Sequence, residues 1–336
     1  MQMTDIALQV SQTRAEGLIG ASDAAAALGL DQYKAPITLW RQLRGLPTND
    51  ERPAFVQEAA EWGQALEPII RGKYALEKGV LVAVPRMSVV RDAWLRCTPD
   101  GYVGPHDEDG PGTKECDAIG DLWYPQEIAK GNIGLLQAKT ASLYKKDEWA
   151  EGVPPNYEIQ VRVEMAVTNL PWCDVSCLIG GQHRVTYRVE RESKYEEPIL
   201  RDLRAFWELV QSGKEPSVDG SVAWREYASS RMRPTPVVLD ADEETEALVA
   251  NFITAKRSKA ELEKAESEYK TRLLIRLSAA GATKLRSRHG VLTAYKVGAK
   301  PSWKDYAISL GGSAKVPEQF KGASNTWTIK APNEED

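Results

Sequence analysis

The chain has 336 residues, 42% of them hydrophobic and 27% charged, with a formal net charge of −5; this suits a soluble globular protein with one large domain and one small one. The acidic balance excludes the coat of positive charge that passive nucleic-acid binders carry, but it does not exclude a local cationic cleft. No apolar stretch approaches the roughly 20 residues of a membrane span, and the opening "MQMTDIALQV" has no signal-peptide pattern, so a cytoplasmic protein with no membrane partner is expected.

In chain order, "LIGASDAAAALGL" reads as a short helix with Ser22 as its N-cap and Gly29 as its stop. "APITLWRQLRG" predicts a second helix. The stretch "RPAFVQEAAEWGQALEPIIRGKYALEKG" carries Phe55, Leu66, Ile69, Ile70 and Tyr74 at helical spacing, and Pro68 inside it predicts a kink or restart beside Glu67. Strands are expected at "VLVAVP", "SVVRD" and "AWLRCTPDGYVG", then an irregular insertion over 104–134, then the strand "GLLQAKTAS". "NYEIQVRVEMAVTNL" has helical periodicity, "CDVSCLIGGQHRVTYRVERE" predicts a hairpin turning at Gly180–Gly181, and "EEPILRDLRAFWELVQSG" closes the unit as a helix. Residues 216–238 read as a linker with a short helix.

Residues 239–280 differ in kind. Acidic and basic residues alternate there, with Leu248, Phe252, Ala255, Leu262, Tyr269 and Leu273 on a narrow stripe. A long helix or helical hairpin is expected, either packing on its own domain or serving oligomerisation. Strands around "HGVLTAYKV" and a polar tail complete a C-terminal helical and β appendage, 239–336.

The four cysteines, Cys97, Cys116, Cys173 and Cys177, form no disulfide framework expected in a chain of this kind, and the single C-x-x-x-C spacing is a weak metal signal; buried free thiols are the expectation. The three histidines, His106, His183 and His289, share no spacing that suggests a metal site or a catalytic pair. Chemistry here, if any, therefore runs on carboxylates. Glu67 sits at the helix break, Asp100 follows Pro99 at the end of a strand, Gln137 and Lys139 share one face of a strand, and Gln160 lies on the next helix. Each could be a plain surface residue, and Gln137 and Lys139 could be the solvent face of a half-buried strand. Taken together, carboxylates from separate elements plus one lysine suit hard divalent cations, which take oxygen ligands. Two such ions about 3.5–4 Å apart can clamp the attacking and leaving oxygens of a phosphodiester.

The stretches "WGQALEP", "CTPDG", "LLQAKT" and "IQVRVEMAVT", preceded by "RAEGLIGASDAAAALGL", resemble in order the motifs of the PD-(D/E)XK nuclease superfamily, in particular the YqaJ-type viral recombinases and phage lambda exonuclease. The resemblance covers roughly residues 10–215. It implies a restriction-endonuclease-like α/β core, a central mixed sheet flanked by helices, over 1–215. By position it also implies that Asp100, Glu67, Gln137 and the Ala138 carbonyl hold metal, that Lys139 positions water, and that Gln160 contacts the nucleophile or scissile phosphate. Arg14 and Ser22 would hold a 5′ phosphate, although Ser22 could equally be a plain N-cap. The implied activity is 5′→3′ degradation of one strand of linear duplex DNA. It would use Mg²⁺ (or Mn²⁺), with two ions, and would leave 3′ tails for a single-strand annealing partner in a phage recombination system. A homo-oligomeric ring is implied as well. Alternatives from other classes are a non-catalytic DNA-binding scaffold on a nuclease fold and an endonuclease.

One residue departs from the pattern. Gln137 stands where the resemblance requires a metal-binding glutamate. Either it is a replacement that traps an inactive complex, or a carboxylate on the following helix compensates. Glu164, four residues after Gln160 and so on its face, is the first candidate, with Glu158 second; the ordinary role of either would be surface charge.

Overall fold

Strands from residues 81–85, 101–104, 112–116, 134–141, 172–179 and 183–190 assemble into a six-stranded mixed sheet, and the segments around it decide what its two faces carry. The structure, a computed structural model, describes residues 9–11, 17–48, 54–123, 126–127, 130–232, 238 and 240–294. The elements in order are β1 (Gln9–Ser11), β2 (Ile19–Gly20), a 3-10 turn (Ala21–Asp23), α1 (Ala24–Ala27), α2 (Pro36–Leu43), α3 (Ala54–Lys78), β3 (Leu81–Pro85), β4 (Ser88–Arg91), β5 (Leu95–Cys97), β6 (Gly101–Gly104), β7 (Gly112–Cys116), β8 (Gly134–Ala141), α4 (Pro155–Thr168), β9 (Trp172–Ile179), β10 (His183–Glu190), α5 (Ser193–Ser212), α6 (Val222–Arg231), α7 (Glu243–Ala279), β11 (Lys284–Ser287) and β12 (Gly290–Thr293). The chain divides into two units, Met1–Trp224 and Arg225–Asp336.

In the first unit the large sheet has the order β10-β9-β8-β6-β3-β7. β8 is central, parallel to β9 and antiparallel to β6. Strand alternation splits the core in two. Val82, Val103 and Leu136 pack with Tyr74 and Ala75 of α3, whereas Leu81, Ala83, Tyr102, Leu135, Cys173 and Val175 pack with Val161 and Met165 of α4. Helices thus cover both faces of a mixed sheet, the α/β architecture expected. Burial on both faces is why β8 is buried continuously from Gly134 to Ala138. A second sheet, order β1-β4-β5-β2, lies alongside in sequence.

Several sequence expectations need correcting. Pro68 does not break α3, which runs uninterrupted through it. Proline removes one backbone hydrogen bond, but burial of Ile70, Tyr74 and Ala75 in the following turns holds the helix together past that gap. The run 93–104 is two strands in different sheets, β5 and β6, because Pro99 cannot donate to a ladder and the chain crosses over there. The insertion 104–134 is not wholly irregular. It carries β7, an edge strand parallel to β3 from Leu81↔Gly112 to Pro85↔Cys116, and "GTKEC" escapes a periodicity search because only Cys116 in it is buried. The short helix expected within 216–238 is present as α6, and the division between the two units falls inside it. Ser22 is not an N-cap: it lies exposed inside the 3-10 turn, whose N-cap is Gly20.

Residues 243–279 form one helix, α7, rather than a hairpin, and Asp242 Oδ1 caps it by accepting from Thr245 N at 2.8 Å. β11 and β12 pair antiparallel after it; the end of "HGVLTAYKV" and the tail lie outside the described residues. All four cysteines are buried and free. Among the described residues no helix is long and apolar enough to cross a membrane.

Candidate active site

The P-D-G turn delivers the first carboxylate. Gly101 pairs with Leu136 across β6 and β8, and a Cβ on Gly101 would lie 2.5 Å from Val82 Cγ1. Only glycine lets β6 fit this closely between β3 and β8, and that fit sets Asp100 against the middle of β8. Ala138 N donates to Asp100 Oδ2 at 2.7 Å, and Gln137 Nε2 donates to the same oxygen.

From Gln137 the contacts continue onto α4. Gln160 Nε2 donates to Gln137 Oε1 at 3.2 Å and to Glu164 Oε1 at 2.8 Å, while Gln160 Oε1 accepts from Lys139 Nζ at 3.0 Å. Lys139 Nζ also stands 5.0 Å from the centre of the Tyr157 ring. The structure therefore brings Asp100, Gln137, Lys139, Gln160 and Glu164 into one hydrogen-bonded group. Gln137 is only 3% exposed, which rules out a polar solvent face for this strand.

Electrostatics make the group unusual. Burial raises the Asp100 carboxyl to about 6, with the Lys139 charge opposing and the Glu67 charge adding to the rise. Burial raises Glu164 to about 8, and the Asp100 charge pushes it the same way. Glu164 is 1% exposed, and its Oε2 is buried without a hydrogen-bond partner. Glu67 acts on Asp100 from α3 but pairs with Arg71, one turn on. Glu158 is turned away: its Oε1 accepts from Arg162 Nε at 2.9 Å and Nη2 at 2.6 Å.

The donor set fits a divalent cation in its chemistry. Glu164, buried and with a bare oxygen, and half-buried Asp100 are linked through the Gln137 and Gln160 amides, and carboxylate and amide oxygens are hard donors. No cluster of three His, Cys, Asp or Glu side chains that could hold a metal occurs among the described residues; Gln137 contributes an amide to the group, and Glu67 pairs with Arg71.

The expected phosphate-binding pair is divided. Arg14 lies outside the described residues. Ser22 precedes α1, which spans only Ala24–Ala27 and is too short to supply the anion-binding helix terminus expected of it. The fold adds a residue that sequence reasoning missed: a Cβ on Gly20 would lie 3.2 Å from Asp23 Oδ2, 3.5 Å from Ser22 Oγ and 3.8 Å from Arg96 Nη2, so a cation and a carboxylate both stand beside Ser22. Arg96 reaches this point because β2 pairs in parallel with β5, Gly20 opposite Arg96. No local signal in "LRC" announces that pairing.

Residues 11–171 match the model of the YqaJ-like viral recombinase domain. The chain is 24% identical over 309 residues to the uncharacterized protein YqaJ of Bacillus subtilis, covering 90% of this chain and 85% of that one. Among solved structures it is similar to an alkaline exonuclease from Laribacter hongkongensis, with 20% identity, 59% of this chain and 90% of that chain covered, and a TM-score of 0.43. The same exonuclease in complex with dAMP gives 20% identity, the same coverages and a TM-score of 0.44.

Proposed function

We propose that this chain, whose residues 11–171 match the YqaJ-like viral recombinase domain, is a divalent-metal-dependent deoxyribonuclease that degrades linear duplex DNA from its ends in the 5′→3′ direction. The observation that carries this reading is the convergence of Asp100, Gln137, Lys139, Gln160 and Glu164 into one hydrogen-bonded group where the turn before β6 meets β8 and α4. Its 3′ tails would serve a single-strand annealing partner, and it would work as a homo-oligomer in a phage-type recombination system.

Each residue has a separable task. Ala138 N fixes the Asp100 carboxylate by a hydrogen bond, so the carboxylate meets its ligand with little reorganisation. Asp100, Gln137 and the Ala138 carbonyl would hold Mg²⁺ or Mn²⁺, as two ions, and Glu67 would join them on release from Arg71. A metal held there would supply Lewis-acid polarisation of the phosphodiester and a more acidic attacking water. Lys139, steered by Gln160 and Tyr157, presents a cation that orients the water or the phosphate oxygen. Ser22 and Arg96, with Arg14, would take the 5′ phosphate through charge-assisted contacts.

The test is digestion of linear and of closed circular DNA, each with Mg²⁺ and with EDTA. Loss of the linear form only, abolished by EDTA, with the 5′ label released first, is the expected result. Cutting of closed circles makes the protein an endonuclease. Binding without cleavage in any divalent metal makes it a scaffold, the reading that the neutral Gln137 favours.

A further inference from the structure

Within β8 the position two residues before Lys139 is an amide, Gln137, and a carboxylate is buried instead on α4. We infer that Glu164 is the anionic divalent-cation ligand of this chain, replacing a carboxylate that the strand lacks. The inference rests on the reading of the group as a metal site and adds the residue that would make it a working one.

Three observations carry it. Glu164 is buried among Val161, Val163, Met165, Ala166 and Val167 on its own helix, where a carboxylate without compensation is costly. Its Oε2 has no hydrogen-bond partner, and the cation of the group, Lys139, donates to Gln160 rather than to it. Its other oxygen is held by Gln160, whose amide also donates to Gln137, which in turn donates to Asp100. Two carboxylates are thus joined through two amides, and a divalent cation drawing on both would satisfy the bare oxygen and neutralise the pair. A glutamate at 137 as well would set a further negative charge beside Asp100 and Glu164, with Lys139 as the only cation hydrogen-bonded within the group among the described residues. The exchange keeps the number of carboxylates and moves one from strand to helix.

Calorimetric titration with Mn²⁺, and the melting temperature with and without it, test this in the whole protein without DNA. The variants are Glu164→Gln, Gln137→Glu and the double variant Gln137→Glu/Glu164→Gln, each checked for folding by its circular dichroism. Glu164→Gln should weaken Mn²⁺ binding by at least about tenfold and remove the metal-dependent rise in melting temperature. The double variant, with the carboxylate back on the strand, should recover both. Wild-type affinity in Glu164→Gln, no Mn²⁺ binding by the parent, or no recovery in a folded double variant would each overturn the inference. Metal binding through Glu164 in a protein that cuts no DNA would refute the nuclease reading alone. DNA cleavage by a protein in which Glu164→Gln leaves Mn²⁺ affinity intact would refute the ligand exchange alone.

Discussion

Two buried carboxylate groups flank the central strands, and they are built on opposite principles. At Asp174, on β9, every charge has its answer. The residue is 4% exposed, accepts from Tyr74 OH at 2.6 Å and is paired by Arg188 through Nε at 2.7 Å and Nη2 at 2.9 Å, and the guanidinium lies 3.8 Å from the Trp172 ring centre. This group ties α3 to β9 and β10. At Asp100 and Glu164 two carboxyls share one nearby lysine, one oxygen is bare, and burial raises both acids. A fold that satisfies one buried carboxylate so fully leaves one oxygen of the other pair, Glu164 Oε2, without a partner.

The sharpest way to break this comparison is to remove a carboxylate from each group. Asp100→Ala should lower DNA hydrolysis by roughly 10³-fold or more while leaving binding to DNA ends largely intact, because phosphate contacts carry affinity. Lys139→Ala should come close to it. Both are read by single-turnover cleavage beside a gel-shift titration, and full activity in Asp100→Ala would mean the chemistry lies elsewhere.

Next in size is a pH effect confined to the unsatisfied group. Asp100 rises from 3.8 to about 6 on folding, and Glu164 from 4.5 to about 8. A raised carboxyl favours the folded state while protonated, so its contribution is complete below the unfolded value and is lost as pH climbs through the folded one. The melting temperature of the metal-free protein should therefore fall between about pH 4 and pH 8, and Mg²⁺ should raise it more at pH 8 than at pH 5. A melting temperature equally metal-sensitive at both values would contradict the electrostatic account.

The satisfied group should respond in stability only. Asp174→Asn should cost about 2–3 kcal/mol, below the figure for breaking a fully buried pair because Arg188 is half-exposed, and Tyr74→Phe about 1–2 kcal/mol. Denaturant unfolding measures both, and metal affinity should be unchanged. The smallest effect belongs to the phosphate contacts. Ser22→Ala and Arg96→Gln, like Arg14→Ala, should reduce the preference for 5′-phosphorylated over 5′-hydroxyl ends several-fold with less change in overall DNA binding. Equal loss on both ends would remove these residues from that role.

The contrast between the groups also marks where sequence runs out. Local chemistry determined the helices at 36–43 and 155–168, the hairpin around Gly180–Gly181 and the strand 134–141, since period and turn residues are short-range signals. The resemblance of the chain's motifs, taken in order, implied that Asp100, Gln137, Lys139 and Gln160 belong together. Long-range pairing decided the rest. β7 emerged from a polar stretch because β3 offered it an edge, and Arg96 came to Ser22 because β2 lies beside β5. Pro68 was carried through α3 by packing that no local rule contains. Above all, only the tertiary structure could show that Asp174 has its arginine and that Glu164 has a bare oxygen, because burial and partnership depend on what every other element brings to the same place.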